Sequence, residues 1–240
     1  VVLLHGLFGS GGNLQGIAQA LAADYRVLVP DLPNHGRSPH MAEVSYPAMA
    51  GALEAWLDEL GVGEVWLAGH SMGAKTAMWL ALNRGQRVAG VMAMDMAPVR
   101  YPDRFKTIFA AMEGLDLARL RDRSDAEARL AATLDSAALR AYLLQNLVKD
   151  EAAGWRWRLN LPALSAQRDV LMDFPATQAS FLGPAVFLYG STSDYVLPEH
   201  AKVIRKLFPY ARERQIPGAG HWVYAERPAD VVDALRGFLI

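Results

Sequence analysis

Three separate pieces of this chain carry side chains able to act together on a carbonyl. Gly69-His70-Ser71-Met72-Gly73 closes an apolar run from Val65 to Ala68, and a helical pattern from Ala74 to Leu82 follows at once. A serine between strand and helix, with glycine two places to either side, is the sequence form of a nucleophile elbow. The turn is too sharp for side chains beside the nucleophile, so Gly69 and Gly73 let neighbouring backbone pass close. The Met72 amide, at a helix N-terminus, can face a developing oxyanion. Near the start, Val1 to Leu4 runs into His5-Gly6-Leu7-Phe8-Gly9-Ser10-Gly11-Gly12-Asn13. A glycine-dense loop after a first strand is where acyl-transfer enzymes of this layout put a second oxyanion amide; Leu7 is the first choice for it and Phe8 the second. His5 is read as a buried structural histidine. Near the end, His221 sits in Pro217-Gly218-Ala219-Gly220-His221-Trp222, after the last strand.

Ser71 alone is a poor nucleophile, because its hydroxyl stays protonated near neutral pH. A base must take that proton, and a carboxylate must hold the base in the right tautomer. His221 is the base this reading requires. Two carboxylates stand at strand ends: Asp95 after Val88–Met94, and Asp194 in the loop after Ala185–Tyr189. Either can reach the same histidine. His35 and His40 lack a carboxylate or third histidine at ligand spacing, so no metal site and no cofactor is expected. Gly69 to Thr76 also lies one residue from a phosphate-binding loop, but Ala74 stands where that loop requires glycine, and its β-carbon obstructs the cradle.

The elements that must position these groups alternate. Strands are expected at 1–4, 25–29, 64–68 and 88–94. Helices are expected at 14–23, at 46–60 with Ser45 as cap and Met49, Leu53, Trp56, Leu57 and Leu60 on one face, and from the elbow to Arg84. This alternation implies an α/β protein with a mostly parallel sheet flanked by helices, its ligands beyond the carboxyl ends of the strands. From Tyr101 to Phe181 the signal is helical, with helices at 105–112, 125–134, 137–147 and 164–172 and no convincing strand, which suggests an inserted helical cap. Within it Trp155-Arg156-Trp157-Arg158 alternates like a short extended piece, for packing of the cap or as an aromatic substrate wall. Strands at 185–189 and 212–216 and helices at 198–207 and 228–239 complete the core. The expected organisation is a core of residues 1–97 and 184–240 and a cap, or lid, of residues 98–183.

Composition excludes several classes. With 240 residues and 52% apolar content the chain can bury a sizeable core, and a net charge of −1 gives no pull toward nucleic acid. There is no cysteine and no run of eighteen apolar residues, so neither thiolate chemistry nor stable membrane insertion is expected. The opening Val-Val-Leu-Leu reads as the inside of a strand. The expected location is cytoplasmic, or an organelle matrix if a targeting segment precedes it.

The motifs together resemble the α/β-hydrolase superfamily, and within it the small YbfF-type esterases and their abhydrolase-domain relatives. The shared pieces are His5-Gly-Leu-Phe-Gly-Ser, Asn34-His-Gly-Arg-Ser-Pro, Gly69-His-Ser-Met-Gly-Ala-Lys-Thr-Ala-Met, Asp95-Met-Ala-Pro, Trp157-Arg-Leu-Asn-Leu and Ala219-Gly-His-Trp. They span nearly the whole chain, although the superfamily usually has a strand pair before the first strand found here. The resemblance implies a serine esterase or thioesterase acting on a small-molecule ester or thioester, acyl-CoA included, through an acyl-enzyme. Most of the superfamily places its acid after the strand that follows the cap, which points to Asp194. The closer group places it within Asp-x-Ala-Pro, which points to Asp95, the favoured residue. Carbon–carbon bond hydrolysis, cofactor-free perhydrolysis and a non-catalytic receptor use the same fold and stay open as alternatives. Acyl length, leaving group and oligomeric state are not legible in the sequence.

Overall fold

The computed structural model describes residues 1–150 and 154–239. Among these, five parallel strands form the central sheet: β1 (Val2–Leu4), β2 (Val65–His70), β3 (Val88–Met94), β6 (Ala185–Gly190) and β7 (Ala211–Ile216), side by side in that order. Each is nearly continuously apolar or buried up to β6, because the sheet is covered on both faces. Alternation along the strands feeds two cores. Val2, Leu4, Leu67, Val91, Ala93 and Phe187 face α2 (Tyr46–Glu59), α3 (Met72–Asn83) and α9 (Ala201–Leu207). Leu3, Ala68, Met92, Met94 and Leu188 face α1 (Gln15–Leu21), α10 (Val223–Glu226) and α11 (Pro228–Phe238).

The segment expected as a strand at 25–29 is shorter than that. It meets β1 through one parallel bridge, Val2 with Leu28, and two hydrogen bonds, Leu3 N–H to Leu28 O (2.9 Å) and Leu28 N–H to Val1 O (2.8 Å). Its place is nevertheless decisive. The chain first moves outward from β1 to Leu28 and then returns past β1 to β2, so the winding direction reverses between β1 and β2. Crevices for ligands open beyond the carboxyl ends of strands at such a reversal, and the loops starting at His5 and Ser71 leave β1 and β2 there.

The cap is inserted between β3 and β6 and comprises α4 (Lys106–Glu113), α5 (Arg123–Leu130), α6 (Ala137–Leu144), α7 (Leu161–Ala166) and α8 (Arg168–Met172). It also contains an antiparallel pair of β4 (Leu147–Asp150) and β5 (Gly154–Trp157); the alternation from Trp155 marks β5, whereas β4 lies where no strand is expected. The helix expected to reach Leu147 stops at Leu144 because Leu147 pairs with Trp157. The single helix expected at 164–172 is two short ones meeting at Gln167, and the one expected at 125–134 runs from Arg123 to Leu130. Trp157 donates its indole N–H to Met112 O at 3.1 Å, and both tryptophans pack on the core, so the aromatic pair serves packing. Ser45 caps α2 as expected, accepting from the Ala48 amide at 3.1 Å, but Leu60 lies past the helix end and is exposed.

Polar side chains tie cap to core. Tyr46 donates its hydroxyl to Leu171 O (2.6 Å), Asn146 its amide to Phe8 O (2.7 Å) and Tyr142 its hydroxyl to Leu7 O (3.1 Å). A buried carbonyl left without a donor is costly, so these pairs set how the cap sits. No helix among the described residues is long and apolar enough to cross a membrane.

Candidate active site

Ser71 stands at the end of β2 with φ +53° and ψ −116°, backbone that a residue with a β-carbon rarely adopts. The surroundings enforce it. The Ser71 amide donates to Met94 O on β3 at 3.2 Å, and its carbonyl accepts from the amides of Ala74 and Lys75 at 2.9 and 3.1 Å, which starts α3. A β-carbon at Gly69 would lie 2.3 Å from Gly73 O, and one at Gly73 would lie 2.4 Å from Leu4 O. β2, α3 and β1 therefore approach as closely as backbone allows only because these two residues are glycine. Gly73→Ala is expected to lower the melting temperature by roughly 5–10 °C or to prevent folding, measured by scanning calorimetry, because rigid main chain blocks the added methyl. A melting temperature equal to wild type would show that β1 and the elbow can part without cost.

The first loop crosses this elbow. A β-carbon on Gly6 would lie 3.3 Å from Ser71 Cβ. Of the loop amides, that of Phe8 is committed: it donates to His35 Nε2 at 3.3 Å, with Phe8 itself at φ +63°. Burial pushes the His35 imidazole down to about 3, which keeps it neutral and able to accept. The second-choice oxyanion donor is thus occupied. Among the described residues the amides of Leu7 and Met72 have no acceptor. The Leu7 and Phe8 carbonyls are turned away by Tyr142 and Asn146 of the cap. His5 is buried and structural: it accepts the Leu32 amide on Nε2 (2.9 Å) and donates from Nδ1 to Gly6 O (2.9 Å).

Asp95 is fully buried at the end of β3, also at positive φ (+53°). Gly190 N–H donates to its Oδ1 at 3.1 Å, and its Oδ2 accepts from Ser193 Oγ and, at 2.7 Å, from His221 Nδ1. A carboxylate only accepts, so the His221 proton on that side sits on Nδ1 and leaves Nε2 with a free lone pair. Asp194 is engaged elsewhere: both its oxygens accept from Arg104 at 2.7 Å, and that guanidinium holds its carboxyl below the usual range. The structure therefore brings Asp95, and not Asp194, to the imidazole.

The His221 loop is pinned from below. His70 donates Nε2–H to His221 O at 2.8 Å, with the two rings 4.7 Å apart. His70 is buried, which pushes its imidazole well down and keeps it neutral; its Nδ1 faces Gly6, where a β-carbon would come within 2.9 Å, and has no hydrogen-bond partner among the described residues. Tyr195 stacks on the His221 ring at 3.8 Å and 17°. Gly190 lets the loop cross the end of β6, since a β-carbon there would be 2.2 Å from Ala219 O. Sequence reasoning missed His70, Ser193 and Tyr195, whose neighbours lie far along the chain. Only the place of His70 beside the elbow serine could have flagged it.

Ser71 opens on a cavity lined by Leu7, Met72, Lys75, Tyr101 and Tyr195 among others, about 20 Å³ in volume, room for roughly one water molecule. Tyr195 thus borders both this cavity and the His221 ring. Among the described residues neither the Ser71 hydroxyl nor His221 Nε2 has a hydrogen-bond partner. Lys75, which a phosphate-binding loop would turn toward its ligand, is buried and donates instead to the cap carbonyls of Met172 and Asp173.

Comparison with known proteins bears on the whole chain. The family model described as alpha/beta hydrolase fold matches residues 1–228. The sn-1-specific diacylglycerol lipase ABHD11 of Mus musculus is 40% identical over 248 residues, covering 100% of this chain and 80% of that protein. Esterase YbfF of Escherichia coli is 36% identical over 240 residues, covering 100% and 92%. A solved structure titled marine microorganism esterase superposes with a TM-score of 0.96 at 34% identity, covering 99% of this chain and 94% of that one.

Proposed function

The chain belongs to the α/β-hydrolase fold family and is a carboxylic ester hydrolase, and on that premise we propose that it works as a serine hydrolase through Ser71, His221 and Asp95. The observation that carries this reading is the short contact between His221 Nδ1 and the buried Asp95 carboxylate. It leaves His221 Nε2 free as a base on the sheet edge that bears Ser71.

His221 Nε2 takes the Ser71 proton as Oγ attacks the ester carbonyl. Asp95 stays ionised and holds the imidazolium that forms. The carbonyl oxygen becomes an oxyanion and accepts from the Leu7 and Met72 amides, which need no reorganisation to meet it. The tetrahedral intermediate collapses, the bond to the leaving group breaks, and His221 returns the proton to the departing oxygen or sulfur. Water then repeats the sequence on the acyl-enzyme and frees the acid and Ser71. The hydrogen bond between Ser71 and His221 is expected to form as substrate displaces water, since catalytic contacts tighten in the Michaelis complex. The small cavity favours short acyl groups, because a larger one must push aside the side chains that line it.

The test is a panel of p-nitrophenyl esters and acyl-CoA thioesters of graded acyl length. Turnover is expected to fall as the acyl chain lengthens, and to vanish for all of them in Ser71→Ala. Failure to hydrolyse any ester would overturn the reading. His70 acts as a positioning residue here. His70→Ala is expected to lower kcat roughly tenfold or more with KM nearly unchanged, because the His221 loop loses its tie to the elbow. His70→Gln, whose amide can still donate to His221 O, is expected to recover part of that loss. An equal loss in both variants would make His70 a packing residue only.

A further inference from the structure

Lys75 is a buried charge that the mechanism above does not use. It lies four residues after Ser71 on α3, one turn along and on the same face, and lines the same cavity. Its residue exposure is 1%. Nζ donates to Met172 O (3.0 Å) and Asp173 O (2.8 Å), and an ammonium has three N–H groups, so one has no acceptor among the described residues. Its nearby carboxylate, Asp173, acts on it through space but makes its direct pair with Arg100 at 3.0 Å, out on the exposed side. The rings of Tyr101 and Tyr46 lie 4.9 and 5.5 Å from Nζ, but their hydroxyls donate away, to Tyr195 O and Leu171 O. The rest of the cavity wall is largely apolar.

Tying α3 to the cap carbonyls needs only a neutral donor. A buried ammonium without a directly bonded counter-ion is costly, and the cost is visible in its proton affinity, which burial pushes down to about 7 although the Asp173 carboxylate partly offsets it. A ligand carboxylate that enters by displacing the water-sized contents and side chains of the cavity would supply the missing acceptor and a directly bonded negative charge. We propose that Lys75 is the subsite for an anionic group at the far end of the substrate's acyl chain, so that the preferred ester is a half-ester of a short dicarboxylic acid. This rests on the serine-hydrolase reading, since it is the acyl group on Ser71 that Lys75 would hold. The charge-assisted contact favours the carboxylate over a neutral group of the same shape.

The test compares ethyl half-esters of succinate, glutarate and adipate with the same esters whose terminal carboxylate is a carboxamide, by ethanol release. In wild type, kcat/KM is expected to favour the carboxylate by at least about tenfold at one chain length. Lys75→Met is expected to erase that ratio, and Lys75→Arg to keep part of it. Equal or better turnover of the carboxamides by wild type overturns the proposal, whether or not Lys75→Met folds. So does a Lys75→Met enzyme slowed on both esters alike with the ratio intact, which would leave Lys75 as a tie to the cap. Either result leaves the serine-hydrolase reading standing if Ser71→Ala is inactive. If wild type turns over no ester, both readings fall together.

Discussion

Ser71→Ala is expected to reduce kcat on any ester this enzyme accepts by about 10⁵- to 10⁶-fold. On the proposed mechanism the loss is that large because the hydroxyl is the atom that forms the acyl bond, and removing it also leaves His221 with no proton to take. On the same reading, what remains is stabilisation by the Leu7 and Met72 amides and by binding. The variant is expected to fold as wild type does. Alanine and serine carry the same β-carbon into the positive-φ position, and the Ser71 hydroxyl has no hydrogen-bond partner among the described residues. A melting temperature within about 2 °C of wild type, about 0.5–1 kcal/mol at this size, together with lost turnover would separate chemistry from structure. Activity within tenfold of wild type would remove Ser71 from the mechanism.

Asp95→Asn is expected to cost about 10³- to 10⁴-fold in kcat, against less than about tenfold for Asp194→Asn. The reason lies in the donors around Asp95. Gly190 N–H points at Oδ1 and requires an oxygen there. In the asparagine variant the amide NH₂ then takes the place of Oδ2 and faces His221 Nδ1 and Ser193. Two donors cannot face each other, so the imidazole must carry its proton on Nε2, and its lone pair no longer faces Ser71. The volume hardly changes, so the effect falls on kcat more than on stability. Asp194→Asn loses an ion pair with Arg104 whose two side chains are 58% and 41% exposed, where such pairs contribute little. Kinetics of the two variants on one p-nitrophenyl ester decide the matter, and the reverse order would transfer the acid's role to Asp194.

Much of this site was legible because its local geometry is written in neighbours. Glycine at 69 and 73 around Ser71, with an apolar strand before and a helix after, dictates a sharp turn whatever the rest of the chain does. The parallel sheet was legible because strands buried on both faces are continuously apolar and alternate with helical periods. Periodicity failed where the elements were too short to have one. β4, Leu147–Asp150, is four residues without a clear alternation and follows directly on a helical stretch, whereas its partner β5 shows in the Trp155-Arg156-Trp157 alternation. Leu28 reaches the sheet through one bridge because β1 beside it is only three residues long.

The sequence by itself determined the strand–elbow–helix carrying Ser71, the loops that deliver Leu7 and His221 to the same sheet edge, and two acids at strand ends. Which acid meets His221 was decided only by the folded molecule, because a carboxylate goes where donors and charges distant in the chain leave it. Gly190 and Ser193 converge on Asp95, while Arg104 from the segment leading into the cap draws Asp194 outward. The same holds for Lys75: its place one turn after Ser71 is local, but its burial against the carbonyls of Met172 and Asp173 exists only once the cap closes over α3.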